Sequence, residues 1–223
     1  MPLKRVLETE YMDTAEEATD YDSMDHSEVN RRFVEDLLQV GDVGTDILDL
    51  GTGTAQIPIE LCRQNGDVRV MATDMAVHML DLARYNLEAE GLIQRIELMQ
   101  VDAKGLEMDD ELFDTVMSNS IIHHIPEPSY CLNEAVRVTK TGGLLFFRDL
   151  MRPESDEQVR SLVQMYAGDE NDHQKQMFDD SLRAALSLDE IRELVAGLGF
   201  DRETVQANSD RHWTWAARKT ASN

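Results

Sequence analysis

The chain has 223 residues, 42% of them hydrophobic, with 12 Gly and 5 Pro, which suits one large globular domain and excludes collagen-like, mucin-like and linker compositions. Its 44 acidic against 21 basic residues leave a net charge of −23, a field that repels phosphate backbones and makes a nucleic-acid partner unexpected. Cys62 and Cys131 stand far apart in no CxxC pattern, so they read as reduced, buried thiols and not as a disulfide framework or zinc site.

Residues 1–25 are acidic and weakly periodic, with no apolar run of the signal-peptide kind. No uncharged apolar stretch long enough to span a bilayer follows, and the expectation is a cytoplasmic, non-membrane protein. Val29, Phe33, Val34, Leu37 and Leu38 recur at helical spacing and predict a helix ending near Gly41. DILDL (46–50) then reads as a strand, GTGTAQ as a glycine loop, and IPIELCRQNG as a helix with Pro58 in its first turn.

The alternation repeats along the chain. Residues 68–74 read as a strand, 76–92 as an amphipathic helix stopped at Gly91, and 95–103 and 113–120 as strands. A helix over 129–143 with a Gly-Gly stop and a fifth strand over 144–150 follow. Strands alternating with helices of this length imply a doubly wound, mostly parallel sheet with helices on both faces. Residues 151–187 carry helical stretches separated by the polar AGDENDHQ tract and read as an insertion over the sheet edge. A helix over 188–200 precedes two strands about a turn at Asn208-Ser209-Asp210, which completes a seven-stranded α/β sheet with a C-terminal antiparallel hairpin.

In such a sheet the ligand lies beyond the carboxyl ends of the strands. Gly51 and Gly53 fall there, where missing side chains let the backbone turn tightly against a ligand. A dinucleotide fingerprint would need Gly or Ala where Gln56 stands, which counts against a nicotinamide-dependent oxidoreductase. Asp74 ends the second strand, where a carboxylate can accept hydrogen bonds from two ribose hydroxyls.

With these residues in view, the chain resembles the class I S-adenosylmethionine-dependent methyltransferases, closest to their small-molecule branch. The resemblance runs from about residue 20 to the C-terminus and is strongest over 46–150. The family's acidic residue followed by GxGxG is matched by Asp49, Gly51 and Gly53, with Ala55 in place of the last glycine. By this resemblance Asp74 is expected on the ribose, Asp102 with Ala103 near the adenine amino group, and Asn119 of SNSIIHHIPEP near the methionine part. Met75 would wall the adenine slot, and Tyr21 would belong to an N-terminal helical lid over residues 1–45. The implied division is a cofactor core over 46–150, the insertion over 151–187 and a terminal helix and hairpin over 188–223, all in a single Rossmann-like domain.

The cofactor so implied is S-adenosyl-L-methionine, with S-adenosyl-L-homocysteine as product, and the partner a small-molecule acceptor. A protein that keeps the loop without an acceptor site, a non-catalytic binding or scaffold protein, is the alternative. Methyl transfer from a sulfonium is an in-line displacement, so holding the acceptor in a dry site does much of the work. If a proton must leave, His123, His124 or Asp149 stands at strand carboxyl ends to take it. Neighbouring loop residues point different ways, so one histidine at most is expected to face the substrate. No third ligand at matching spacing is visible, so no metal site is expected. Arg148 and Arg152 could bind an acidic acceptor bidentately, with Tyr166, Met177 and Phe178 as a cap. Trp213 and Trp215 lie two apart on one strand face, as further cap residues or, more simply, buried against a helix.

Overall fold

In the computed structural model, residues 3–8, 14–23 and 26–221 are described, except for the side chains of residues 17, 20 and 21. Seven strands form one sheet: β1 (Asp46–Leu50), β2 (Arg69–Asp74), β3 (Ile96–Gln100), β4 (Phe113–Asn119), β5 (Thr139–Leu150), β6 (Val205–Ala207) and β7 (His212–Arg218). Their order is β3-β2-β1-β4-β5-β7-β6. The first five strands run parallel, and β7 is antiparallel to both of its neighbours. The helices are α1 (Ala15–Ser23), α2 (Ser27–Gln39), α3 (Gln56–Gln64), α4 (Val77–Glu90), α5 (Pro128–Val138), α6 (Asp156–Ala167), α7 (Asp172–Ala184) and α8 (Leu188–Gly197). The expected α/β architecture, terminal hairpin included, is what the chain forms.

Period-2 alternation divides the core between the two sheet faces. On β5, Leu144 and Phe146 pack with Phe33 and Leu37 of α2, Ile59 of α3 and Leu87 of α4. Leu145 and Phe147 face the other way, toward Leu132 of α5 and Ile191 of α8. Trp213 and Trp215 are fully buried on that second face, Trp215 with its ring 5.3 Å from that of Phe200. They take no part in capping a pocket.

Three boundaries depart from the sequence reading. The fifth helix ends at Val138, and the Gly-Gly pair lies inside β5. The Gly142 N–H donates to the Lys219 carbonyl and the Lys219 N–H to the Gly143 carbonyl, so the end of the chain pairs with this segment as strand. A Cβ at Gly143 would come 2.8 Å from the Asp114 carbonyl, so close backbone approach explains the glycine. β3 stops at Gln100, and Val101 donates to the Asp74 carbonyl as the chain turns away from the sheet, carrying Asp102 and Ala103 toward the end of β2. Finally, α6 and α7 pack on Leu150 at the carboxyl end of β5, an inner strand, and not over a sheet edge. Part of the polar tract is helical there, because Asn171 and Gln174 form a capping box that starts α7.

Candidate functional site

The strand order reverses between β1 and β4, whose connections leave in opposite directions and open a crevice at their carboxyl ends. The glycine loop after β1 fills that point in a left-handed backbone: Gly51 at φ +71°, Gly53 at +56° and Ala55 at +62°. The N–H groups of Gly51 and Thr52 both donate to the Thr73 carbonyl at 2.8 Å. A Cβ at Gly51 would fall 2.0 Å from Ile121 Cγ2, so both the conformation and the space demand glycine. Ala55, which replaces the resembled family's last glycine, keeps the left-handed turn and starts α3.

Asp74 clamps the loop to β2. Its carboxylate accepts from the Gly53 N–H at 2.8 Å and from the Ala76 N–H at 2.9 Å. Burial raises its pKa, against these backbone donors, which favour the charged form. Asp49 is buried at the end of β1, and burial pushes its carboxyl from the ordinary 3.8 up to about 7, with the Asp74 charge adding to the rise.

Two lobes of one cleft meet at Gly51 and Asn119. One, about 140 Å³ and open to solvent, has mostly apolar walls including Met75, Met79, Val101 and Ile121, with Asp74, Asp102 and Ala103 among its lining. Asp102 accepts from the Lys104 N–H at 2.9 Å and pairs with the Lys104 ammonium at 3.1 Å. The other lobe, about 190 Å³, is polar and is lined by Asp49, Thr52, Thr54, His26 and Asn30. Helix α1 closes over it: Asp22 accepts from Gln56 at 3.3 Å and from Asn86 at 3.1 Å. Tyr21 lies on α1 with its side chain outside the described residues.

Of the residues singled out in the sequence, Asp49, Gly51, Asp74, Met75, Asp102, Ala103, Asn119 and His124 line this cleft. Gly53 shapes the loop through Asp74. Asp22, His26, Asn30, Thr52 and Thr54 were not singled out. The two threonines were legible within GTGTA, whereas Asp22 comes from α1 and His26 and Asn30 from the start of α2, whose docking no local pattern announces.

The acceptor-side candidates other than His124 are held elsewhere. Asp149 is buried, and its Oδ1 meets His123 Nδ1 at 2.5 Å while its Oδ2 accepts from the Ile122 and His123 N–H groups. Although burial acts to raise the Asp149 pKa, the His123 charge and hydrogen bond hold it below the usual range. Asp149 therefore fastens the 3-10 turn Ile122–His124 and does not line the cleft. Arg148 donates to Asp36 at 2.7 Å and Thr214 at 2.9 Å, and its guanidinium stands over the Phe33 and Phe146 rings. Arg152 donates to the Ala185 carbonyl and to Glu190. Both arginines are buried, engaged by protein groups and absent from the cleft lining. Tyr166 donates to Asp210 with the Arg211 guanidinium over its ring, and Phe178 packs with Leu150, Val159 and Leu182. Neither caps the cleft.

Residues 42–209 match the family model described as a methyltransferase domain. The chain is 36% identical over 100 residues to phosphatidylethanolamine N-methyltransferase of Cereibacter sphaeroides, covering 45% of this chain and 48% of that protein. It thus spans about half the length of that curated relative. It is 22% identical over 175 residues to the ubiquinone/menaquinone biosynthesis C-methyltransferase UbiE of Marinomonas sp., covering 73% of this chain and 69% of that one. Among solved structures, a protein of Methanococcus maripaludis described as a candidate S-adenosyl-L-methionine-dependent methyltransferase superposes with a TM-score of 0.76. That alignment has 18% identity and covers 98% and 99% of the two chains, a likeness of fold. With the family model matched over most of its length and the fold shared from end to end, the chain belongs to the methyltransferase-domain family.

Proposed function

We propose that the chain transfers a methyl group from S-adenosyl-L-methionine to a small-molecule acceptor. The observation that carries this reading is the two-lobed cleft, with a carboxylate in each lobe and a joint at Gly51 and Asn119. An adenosine needs an apolar slot and an acceptor for its diol, which the lobe with Met75, Val101 and Asp74 offers. An amino-acid tail with an ammonium group suits the polar lobe, where Asp49 supplies the only buried carboxylate among the described lining residues. Asp102 and Ala103 stand where the adenine amine would be recognised, and Asn119 bridges the two parts. When bound, the cofactor supplies an electrophilic methyl group on a sulfonium sulfur.

The chain's own part is to bind, orient and exclude water. Helix α1 covers the polar lobe, the Gly51 backbone approaches the ligand closely, and Ile121 and Ile125 keep the wall beside Asn119 apolar. Where the acceptor carries a proton, His124 is the residue on the cleft wall placed to receive it. His123 and Asp149 position that turn. We read residues 1–223 as one domain acting in the cytoplasm, and the net charge of −23 supports a small-molecule acceptor over a nucleic acid. The relatives' names, which refer to a phospholipid and to quinone biosynthesis, point the same way. No helix among the described residues is long and apolar enough to cross a membrane.

A thermal-shift series with S-adenosyl-L-methionine, S-adenosyl-L-homocysteine and NAD tests the reading. Ligand at about 100 times its Kd stabilises by about 2.7 kcal/mol, roughly 5–11 °C for a domain of this size. A shift with the two adenosyl sulfur compounds alone is expected. A larger shift with NAD, or none with any of them, contradicts the proposal.

A further inference from the structure

His123 and His124 are consecutive, yet both rings turn toward one carboxylate that the sequence places more than a hundred residues upstream. Glu8 Oε1 lies 3.5 Å from His123 Nε2 and 3.2 Å from His124 Nδ1. The donor atoms of all three residues lie within 4.8 Å of one another. The third ligand that local spacing did not reveal is thus delivered by the fold. Arg5 anchors the segment that carries it, donating to the carbonyls of Ala184, Ile122, His123 and Ile125, and Val6 donates to Arg183. Its guanidinium is directed at those carbonyls.

Two carboxylates flank His123, Asp149 at Nδ1 and Glu8 at Nε2, which favours positive charge on or beside the ring. Burial opposes charge on the ring, but Asp149 and Glu8 raise its pKa, so a metal at Nε2 would displace a proton there. That proton is not shared along an N–H···O line, since Glu8 Oε1 is buried and accepts no hydrogen bond among the described residues. The three donor atoms are grouped as they are around a metal. Ligand atoms bound tetrahedrally at about 2.0–2.2 Å stand roughly 3.4 Å apart, close to the two separations seen here. Glu8 Oε2 is held by Ser181 Oγ at 3.3 Å, which turns Oε1 toward the imidazoles.

We propose that Glu8, His123 and His124 form a binding site for a divalent transition metal of the zinc class, with Asp149 orienting His123 from behind. Two imidazoles and a carboxylate suit Zn²⁺, and three protein ligands leave a coordination position for water or a ligand oxygen. His124 belongs both to this cluster and to the cleft wall, so the open position is reached from the cleft. The proposal is independent of the methyl-transfer reading.

The test is calorimetric titration of Zn²⁺ into the chelator-treated full chain, free of any added histidine tag, with cobalt substitution as a second readout. One equivalent is expected to bind, and Co²⁺ is expected to give visible d–d bands of a low-coordinate nitrogen and oxygen site. Glu8→Gln and His124→Ala should each weaken binding at least tenfold, and Asp149→Asn by about 10–100-fold. His173→Asn, exposed on α7 and outside the cluster, should leave binding unchanged. Circular-dichroism melts establish that each variant is folded, and if His124→Ala or Asp149→Asn is not, Glu8→Gln decides. No stoichiometric binding by the wild-type chain, or binding unaffected by Glu8→Gln, overturns the proposal.

Discussion

Asp49 is a residue whose position opposes its own ionisation. A carboxyl whose folded pKa is raised contributes stability that is complete below its ordinary 3.8 and is lost as pH rises toward about 7. At about 1.4 kcal/mol per pH unit, that loss amounts to up to about 4 kcal/mol in the ligand-free chain. Asp49→Asn is therefore expected to raise Tm by several degrees at pH 7.5 and to leave it unchanged at pH 4, as a pair of thermal melts would reveal. The same variant should bind the cofactor more weakly, because the ammonium group loses its counter-charge. In the wild-type chain, affinity should rise with pH up to about 7 and then level, as Asp49 becomes ionised without ligand. Titrations at pH 5.5, 6.5 and 7.5 check this, and a flat wild-type profile would remove Asp49 from the ammonium site. His212 acts with the opposite sign. Burial, with Arg211 adding to it, pushes its pKa down to about 4, so its contribution is complete above 6.5 and lost as pH falls toward 4. The two slopes oppose each other in wild type, and Asp49→Asn should uncover a steady fall in stability on acidification.

Elements decide which residues the sequence could disclose. Gly51 and Asp74 were legible from their place at strand ends, and Asp49, Asp102 and Asn119 through the family resemblance; all lie at or just after strand carboxyl ends, which a parallel sheet sends to one crevice. Arg148 and Asp149 also end a strand, but strand position alone does not tell which face a side chain takes. Arg148 points toward α2 and Asp149 beneath the His123 turn. Asp22 and His26 were invisible for a different reason, since they reach the cleft only when the N-terminal segments dock on distant elements. Two variants separate these roles. Arg148→Met should destabilise the fold by about 1–2 kcal/mol through the lost hydrogen bonds to Asp36 and Thr214 and the lost contacts over the Phe33 and Phe146 rings, with cofactor affinity per folded molecule unchanged. A loss of affinity without a loss of stability would restore the ligand role. Asp22→Ala frees α1 from Gln56 and Asn86, and it should weaken cofactor binding several-fold, mainly through faster dissociation, while Tm changes little. Stopped-flow dissociation kinetics distinguish this from a change in association.

At the scale of the whole molecule, the fold follows from alternation that the sequence displays openly. β1 is buried along four of its five residues, and β5 sends alternate side chains into two separate cores, so each face needs its layer of helices. The boundary errors came where tertiary pairing overrode local signals, as when Gly142 and Gly143 paired with the chain's end and entered β5. The overall charge of −23 also has a functional reading. Such a field favours approach of a cationic ligand, so association with S-adenosyl-L-methionine should slow as ionic strength rises, while a neutral analogue is less affected.

In the proposed function one cleft holds the cofactor across Gly51, with Asp74 on the adenosine side. Calorimetric titration of S-adenosyl-L-homocysteine into the wild-type chain and into a folded Asp74→Ala variant tests it most directly. Single-site binding by wild type, weakened at least tenfold in the variant, is the predicted result. Equal affinity in the two proteins, or no binding by wild type, would contradict it.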